Sequence, residues 1–244
     1  MMHETERSQT ARAAAELALV RVVHHYGSRP EFVVLGGLVP ALLCSGADVR
    51  HAGTTDIDVQ VNLEIAAGAV NAGLLERALI AAGFKPDCDR VWRWATTVGL
   101  HRAEVKFELL ADLEDQQSGA TVHFEGAEHL GAANLRGTGS AVHDIEIRTI
   151  SAVDEDVRRS VDVQVTGVAG FLLAKVAAAQ SRRKTKDWYD IAFVLLHNDE
   201  GGPAAATAAV IERLPGRLPG MASGLRDLAA NFANRGCAGA RRLR

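Results

Sequence analysis

The alternation of apolar and polar positions divides the chain into helices and short strands. From Ser8 to Tyr26, apolar Ala14, Leu17, Ala18 and Val22 recur at helical spacing, with Ser8 placed to cap the start and Gly27 to end it. Phe32 to Leu35 is a β-branched and aromatic run of the kind found in buried strands, and it stops at Gly36-Gly37. Leu38 to Ser45 predicts a short helix with Pro40 in its first turn, where a missing N–H costs little, and Gly46 as its stop. Asp56 to Val61 alternates with period two. Asp56, Asp58 and Gln60 therefore share one face of a strand, and Ile57, Val59 and Val61 the other.

Downstream, Leu63 to Ala82 predicts a helix closed by Gly83, and Phe84 to Arg90 an irregular stretch around Pro86. Val91 to Ala95 predicts a strand with Trp92 and Trp94 on one face, placed either to stack on a base or to pack a hairpin. His101 to Leu110 predicts a half-buried strand, with Glu104, Lys106 and Glu108 opposite Val105, Phe107 and Leu109. Strand-like pieces follow at Thr121 to Phe124, Ile145 to Ile150 and Val161 to Val165, with Asp154, Glu155 and Asp156 expected in a solvated loop. A helix from Ala169 to Gln180 carries Lys175 inside an apolar run, where the amine must reach solvent or pair with an anion. Ser181 to Lys186 reads as a basic connection to a second helix, Asp187 to His197, in which Asp187 and Asp190 are i, i+3 neighbours. Ala204 to Arg244 is mostly helical by pattern and ends in a basic tail. The predicted class is α/β (α+β): a small mixed sheet flanked by helices over residues 1–165, and a mostly helical domain over 166–244.

Composition narrows the classes. The chain has 244 residues, 48% hydrophobic and 23% charged, which fits a globular protein. A formal net charge of -3 gives no global basic field, so any nucleic-acid contact must use a local patch such as Arg182 to Lys186. Cys44, Cys88 and Cys237 lack metal or disulfide spacing and read as reduced thiols. The first residues lack the basic-then-apolar order of a signal peptide, and no apolar run approaches the ~18 residues of a membrane span. A cytoplasmic protein without a membrane partner is expected. Its wealth of Ala, Gly and Arg fits a high-GC bacterial genome.

Two carboxylates on one strand face, Asp56 and Asp58, repel unless a cation lies between them, and a hard divalent ion such as Mg²⁺ or Mn²⁺ answers that need. A Gly-Gly turn ahead of a helix exposes backbone N–H groups to phosphate. Metal and phosphate together point to nucleotide chemistry. His24-His25, by contrast, diverge by ~100° on a helix and are poorly placed to chelate.

Gly36-Gly37, a helix, then Arg50…Thr54-Thr55-Asp56-Ile57-Asp58 resembles the first motif of the nucleotidyltransferase superfamily with the DNA polymerase β-type fold. Within it the chain is most similar to AbiEii/AbiGii toxin-type nucleotidyltransferases of toxin–antitoxin systems. Gly37 departs from the usual Gly-Ser and removes a hydroxyl. Lys175 followed by Arg182-Arg183-Lys184-Thr185-Lys186-Asp187-Trp188-Tyr189-Asp190 resembles that group's downstream signature. The resemblance implies an NTP held by Gly36, Gly37, Thr55, Lys175 and Arg182 or Arg183. It implies a metal on Asp56 and Asp58, with Glu108 (or Glu104) as third carboxylate, and a supporting aspartate, Asp187 or Asp190. It also implies NMP transfer to an acceptor such as tRNA or another RNA, and a cognate antitoxin. A small-molecule, aminoglycoside-type acceptor and a non-catalytic nucleotide- or partner-binding module are the competing readings.

Overall fold

The computed structural model describes residues 9–61, 71–99, 102–182 and 184–233. Its centre is a pair of short strands, β1 (Val33–Leu35), buried throughout, and β2 (Asp56–Gln60), which run antiparallel with Leu35 opposite Asp58. Between them a 3₁₀ turn (Gly36–Leu38) leads into α2 (Val39–Leu43), whose first turn holds Pro40 as expected. β5 (Ala103–Ala111) lies parallel to β2 on its other side, with Asp56 opposite Lys106 and Asp58 opposite Glu108. The alternation read from the sequence holds here. Ile57, Val59, Val105, Phe107 and Leu109 are wholly buried, whereas Asp56, Asp58, Lys106 and Glu108 line the opposite face.

Outward from this centre the strand order is β3-β4-β5-β2-β1-β9-β8. β3 (Lys85–Pro86) and β4 (Arg93–Val98) pair antiparallel next to β5, and β8 (Ile145–Asp154) and β9 (Val157–Thr166) form a long hairpin parallel to β1 through β9. β7 (Gly131–Asn134) joins the end of β5 in parallel and carries β6 (Thr121–His123). α1 (Gln9–Tyr26) lies across one face of the sheet against β2, β4, β5, β8 and β9, and α3 (Ala72–Ala81) packs beside it. Ala15, Ala18 and Val22 are fully buried there, and such small side chains let a helix approach the sheet closely. Beyond β9 come α4 (Val168–Arg182), α5 (Thr185–His197), α6 (Pro203–Arg213) and α7 (Leu218–Phe232). A mixed sheet flanked by helices, with helices at the C-terminal end, is the expected class.

Four local expectations are corrected. Trp92 and Trp94 do not share a face: Trp94 is in the core, opposite Phe107, while Trp92 precedes β4 in a turn and lines a cavity on the far side. The connection between the two helices is shorter than Ser181 to Lys186, because α4 runs through Arg182 and α5 starts at Thr185. Asp154 is not solvated; it closes an ion pair with Arg21, and only Glu155 and Asp156 make the hairpin turn, both with positive φ. β7, which falls between the predicted strand-like pieces at Thr121 to Phe124 and Ile145 to Ile150, is a fully buried strand of Gly, Ala, Ala and Asn. Small residues carry little strand propensity; β7 forms because Asn134 holds the turn below it, donating to the carbonyls of Leu113, Gln116 and Gln117. The start of the predicted helix at Leu63, the start of the predicted strand at His101, Arg183, Cys237 and the basic tail lie outside the described residues.

Candidate active site

β2 ends the polypeptide's approach to a cavity of about 350 Å³, lined among others by Gly37, Thr54, Asp56, Asp58, Trp92 and Glu108. Gly36 sits at φ +77°, the left-handed region, and a Cβ built on it would fall 1.9 Å from Asp58 Oδ2. The Asp58 carboxylate thus rests directly against the Gly36 backbone. A Cβ on Gly37 would meet Thr54 Cβ and Cγ2 at 2.9 Å. The hydroxyl absent from Gly37 is matched by one from the facing side, since Thr54 fills that space and its Oγ1 accepts from the Asp56 N–H at 3.1 Å. Thr55 is buried and outside the cavity, with its carbonyl accepting from the Lys106 N–H at 3.0 Å.

Three carboxylates crowd this rim. Burial pushes the Asp58 carboxyl up to about 7, with repulsion from Glu108 and then Asp56 adding to the effect, while Lys175 and Lys186 pull the other way. The Asp56 carboxylate is within 4.0 Å of the Lys186 amine. Glu108 is taken by Arg93, its cross-strand neighbour on β4, whose Nε and Nη2 both lie 2.7 Å from Oε1. Glu104, four positions earlier, is exposed and outside the cavity.

The opposite wall comes from α4 and α5. Lys175 Nζ donates to Asp190 Oδ2 at 2.8 Å and Asp187 Oδ1 at 3.3 Å, and both aspartates are fully buried. Burial lowers the Lys175 proton affinity, but Asp190 and then Asp187 outweigh it, and the net direction is up. Arg182 grips Asp187 with two parallel hydrogen bonds, Nε to Oδ2 at 2.8 Å and Nη2 to Oδ1 at 2.7 Å. For Asp187, burial raises the pKa, yet the Arg182 hydrogen bond and the charges of Lys175 and Arg182 hold the carboxyl below its ordinary range. Asp187 had the residue pattern of a helix-start aspartate; its carboxylate instead turns inward. Lys175, Arg182 and Asp190 line the cavity, whereas Asp187 lies behind them.

Several members of the site were missed in the sequence. His51 Nε2 sits 3.0 Å from Asp190 Oδ1, with its ring wholly buried between Tyr189 and Phe193, and Tyr189 Oη accepts from the Ala52 N–H. Arg93 and Lys106 also line the cavity, as do Lys184 and Lys186 from the basic patch that the sequence offers to nucleic acid. His51 precedes Thr54-Thr55-Asp56 by three residues, and that proximity was the one available signal.

A divalent cation can be tested against this rim. Asp56 and Asp58 face the cavity from adjacent same-face positions, and a cation between them would offset the repulsion that Glu108 and Asp56 add to the effect of burial on Asp58. Oxygen donors of this kind suit Mg²⁺ or Mn²⁺. Among the described residues no three His, Cys, Asp or Glu side chains converge on one point. The two aspartates therefore fit a cation as a pair, and Glu108 reaches it only by leaving Arg93.

No family model matches the chain, and no curated protein matches it. Among solved structures it is similar to one described as an antigenic nucleotidyltransferase-like protein from Paracoccidioides brasiliensis. That similarity covers 94% of this chain and 100% of the other at 13% identity, with a TM-score of 0.37. At that score the two backbones overlap too loosely to transfer fold or chemistry between them. No helix among the described residues is long and apolar enough to cross a membrane.

Proposed function

We propose that the protein is a divalent-metal-dependent nucleotidyltransferase that moves a nucleoside monophosphate from an NTP to an acceptor hydroxyl. One observation carries this reading: a half-buried carboxylate pair, Asp56 and Asp58, backed by a left-handed glycine, faces Lys175, Arg182, Lys184 and Lys186 across a single cavity. Anionic and cationic walls facing each other suit a metal–triphosphate complex, in which both signs of charge are presented.

Asp56 and Asp58 would hold Mg²⁺ or Mn²⁺, which supplies positive charge and orientation at the reacting phosphorus. Lys184 and Lys186 face the cavity without the paired clamps that hold Lys175, and they would take most of the triphosphate charge. Lys175 and Arg182 are held in place by Asp187 and Asp190, which act as positioning residues. The acceptor oxygen bonds to the α-phosphorus, the bond from phosphorus to the β-phosphate oxygen breaks, and pyrophosphate leaves with the electron pair. The hydroxyl proton passes to the carboxylates and water of the cavity. The basic edge formed by Arg182, Lys184 and Lys186 favours RNA, including tRNA, as the acceptor over a polycationic small molecule. The role of toxin with a cognate antitoxin, and Thr55 and Arg183 as nucleotide contacts, rest on the sequence resemblance.

A nucleotide-binding module without turnover is the second reading, favoured by the engagement of Glu108 with Arg93. The deciding assay supplies protein, Mg²⁺, each NTP labelled at the α-phosphate, and total bacterial RNA. Label entering RNA from one NTP, and lost in Asp58→Ala, supports transfer to RNA. Pyrophosphate release only with small amines redirects the acceptor, and nucleotide binding with no turnover supports the module.

A further inference from the structure

Arg93 makes two contacts with one guanidinium. It holds Glu108 Oε1 at 2.7 Å, and its Cζ lies 4.9 Å from the centre of the Trp92 ring. Both contacts are inside the cavity that Asp56 and Asp58 face. Glu108 is the register neighbour of Asp58 across β2 and β5, and its charge is the second-largest cause of the raised Asp58 proton affinity. Arg93 and a divalent cation at Asp56 and Asp58 thus have a claim on the same carboxylate. The side chains of Arg93 and Glu108 are 22% and 16% exposed, so the pair is partly desolvated but still able to exchange with solvent ions.

We propose that Arg93 is an exchangeable counter-ion of the acidic rim, and that its displacement couples metal binding to opening of the nucleotide seat. This rests on the nucleotidyltransferase reading above. Without metal, Arg93 neutralises Glu108 and is the nearer of two guanidinium groups over Trp92, the other being Arg90 at 5.8 Å from the ring centre. When a divalent cation takes Glu108 together with Asp56 and Asp58, the guanidinium loses its anionic partner. It is then free to meet a phosphate, and the Trp92 face is open to a nucleobase. Trp92 suits this role because it packs against the apolar cluster of Leu35, Leu110, Ala133, Ala141 and Ala174 and keeps an aromatic face at the cavity. The order of binding follows: metal first, nucleotide second.

The test titrates Mn²⁺ into the full chain without nucleotide, reading affinity by calorimetry and Trp92 by intrinsic fluorescence against Trp92→Phe. Mn²⁺ is expected to change the Trp92 emission of the wild type. Arg93→Ala should bind Mn²⁺ roughly three- to tenfold more tightly, with the emission change gone, and Arg93→Lys should return the affinity toward wild type. Glu108→Gln should weaken Mn²⁺ binding and leave Trp92 emission unmoved by it. Wild-type affinity in Arg93→Ala, or Mn²⁺ binding that leaves Trp92 emission unchanged, would overturn the exchange. If Asp58→Ala also binds Mn²⁺ like the wild type, the metal reading of the whole site fails with it; if Asp58→Ala loses the ion, only the exchange fails.

Discussion

Asp58 lines the cavity and Asp187 lies buried behind its far wall, and their proton affinities move in opposite directions. Asp58 is pushed up to about 7 by burial and by two neighbouring carboxylates. Asp187 is fully buried, yet is held below the ordinary carboxylate range by Arg182 and Lys175. On α4 and α5 the protein has supplied its own counter-ions: Lys175 and Arg182 answer Asp187 and Asp190, and His51 completes the hydrogen bonding of Asp190. On β2 and β5 it has left three carboxylates with Arg93 on Glu108 and a distant Lys186 beside Asp56. Buried charge that is paired holds a fold in register; buried charge left short of partners is poised for a ligand. The two clusters look alike in composition, and their partners are what separate them.

The largest contrast should appear in stability. Asp187→Ala leaves Lys175 and Arg182 short of an anion and should cost about 3–5 kcal/mol in urea unfolding, whereas Asp58→Asn removes a repelling charge and should be neutral or stabilising. Equal costs at the two sites would erase the distinction. Lys175→Met should cost about 3 kcal/mol, and adding Asp190→Asn should recover at least about 1 kcal/mol of it without restoring any nucleotide transfer. Additive losses in the double variant would show that the pair is not coupled. Gly36→Ala must place a Cβ where Asp58 Oδ2 lies, at a φ that disfavours any side chain; about 1–3 kcal/mol of destabilisation is expected, with loss of Mn²⁺ binding.

The most direct comparison of the clusters is their response to pH. Folded Asp58 keeps a proton that the unfolded chain releases near pH 4, so its contribution to stability is greatest in acid and is lost as pH rises toward about 7. Asp187 contributes in the other sense, with stability present above about pH 4 and lost below it. Between pH 4.5 and 7 the melting temperature in metal-free buffer should therefore fall by the equivalent of up to about 3 kcal/mol. Mg²⁺ or Asp58→Asn should flatten the slope, and Asp187→Asn should leave it unchanged over that window.

The central strands were legible because their signals are local. Alternation over Asp56 to Val61 and His101 to Leu110 fixes which side chains share a face, whatever the rest of the chain does. Gly36-Gly37 announced a turn, though not that the first glycine makes room for a carboxylate. Trp92 and Trp94 misled, because the rule of two holds only inside a strand and Trp92 lies in the turn before β4. β7 was hidden for a different reason: its Gly-Ala-Ala-Asn composition has no strand signal, and pairing with β5 supplies what propensity does not.

By itself the sequence determined the chemistry on offer: two aspartates on one strand face, a glycine turn ahead of them, and a lysine followed by an Arg/Lys–Asp cluster downstream. Period and residue type are enough for that, since both act over a few residues. The tertiary structure alone decided who answers each charge. His51 meets Asp190 across 139 positions, Arg93 meets Glu108 across the β4–β5 register, and Lys186 reaches toward Asp56 from the start of α5. An ion pair depends on separations of a few ångströms, which strand register and helix packing set and which no local pattern encodes.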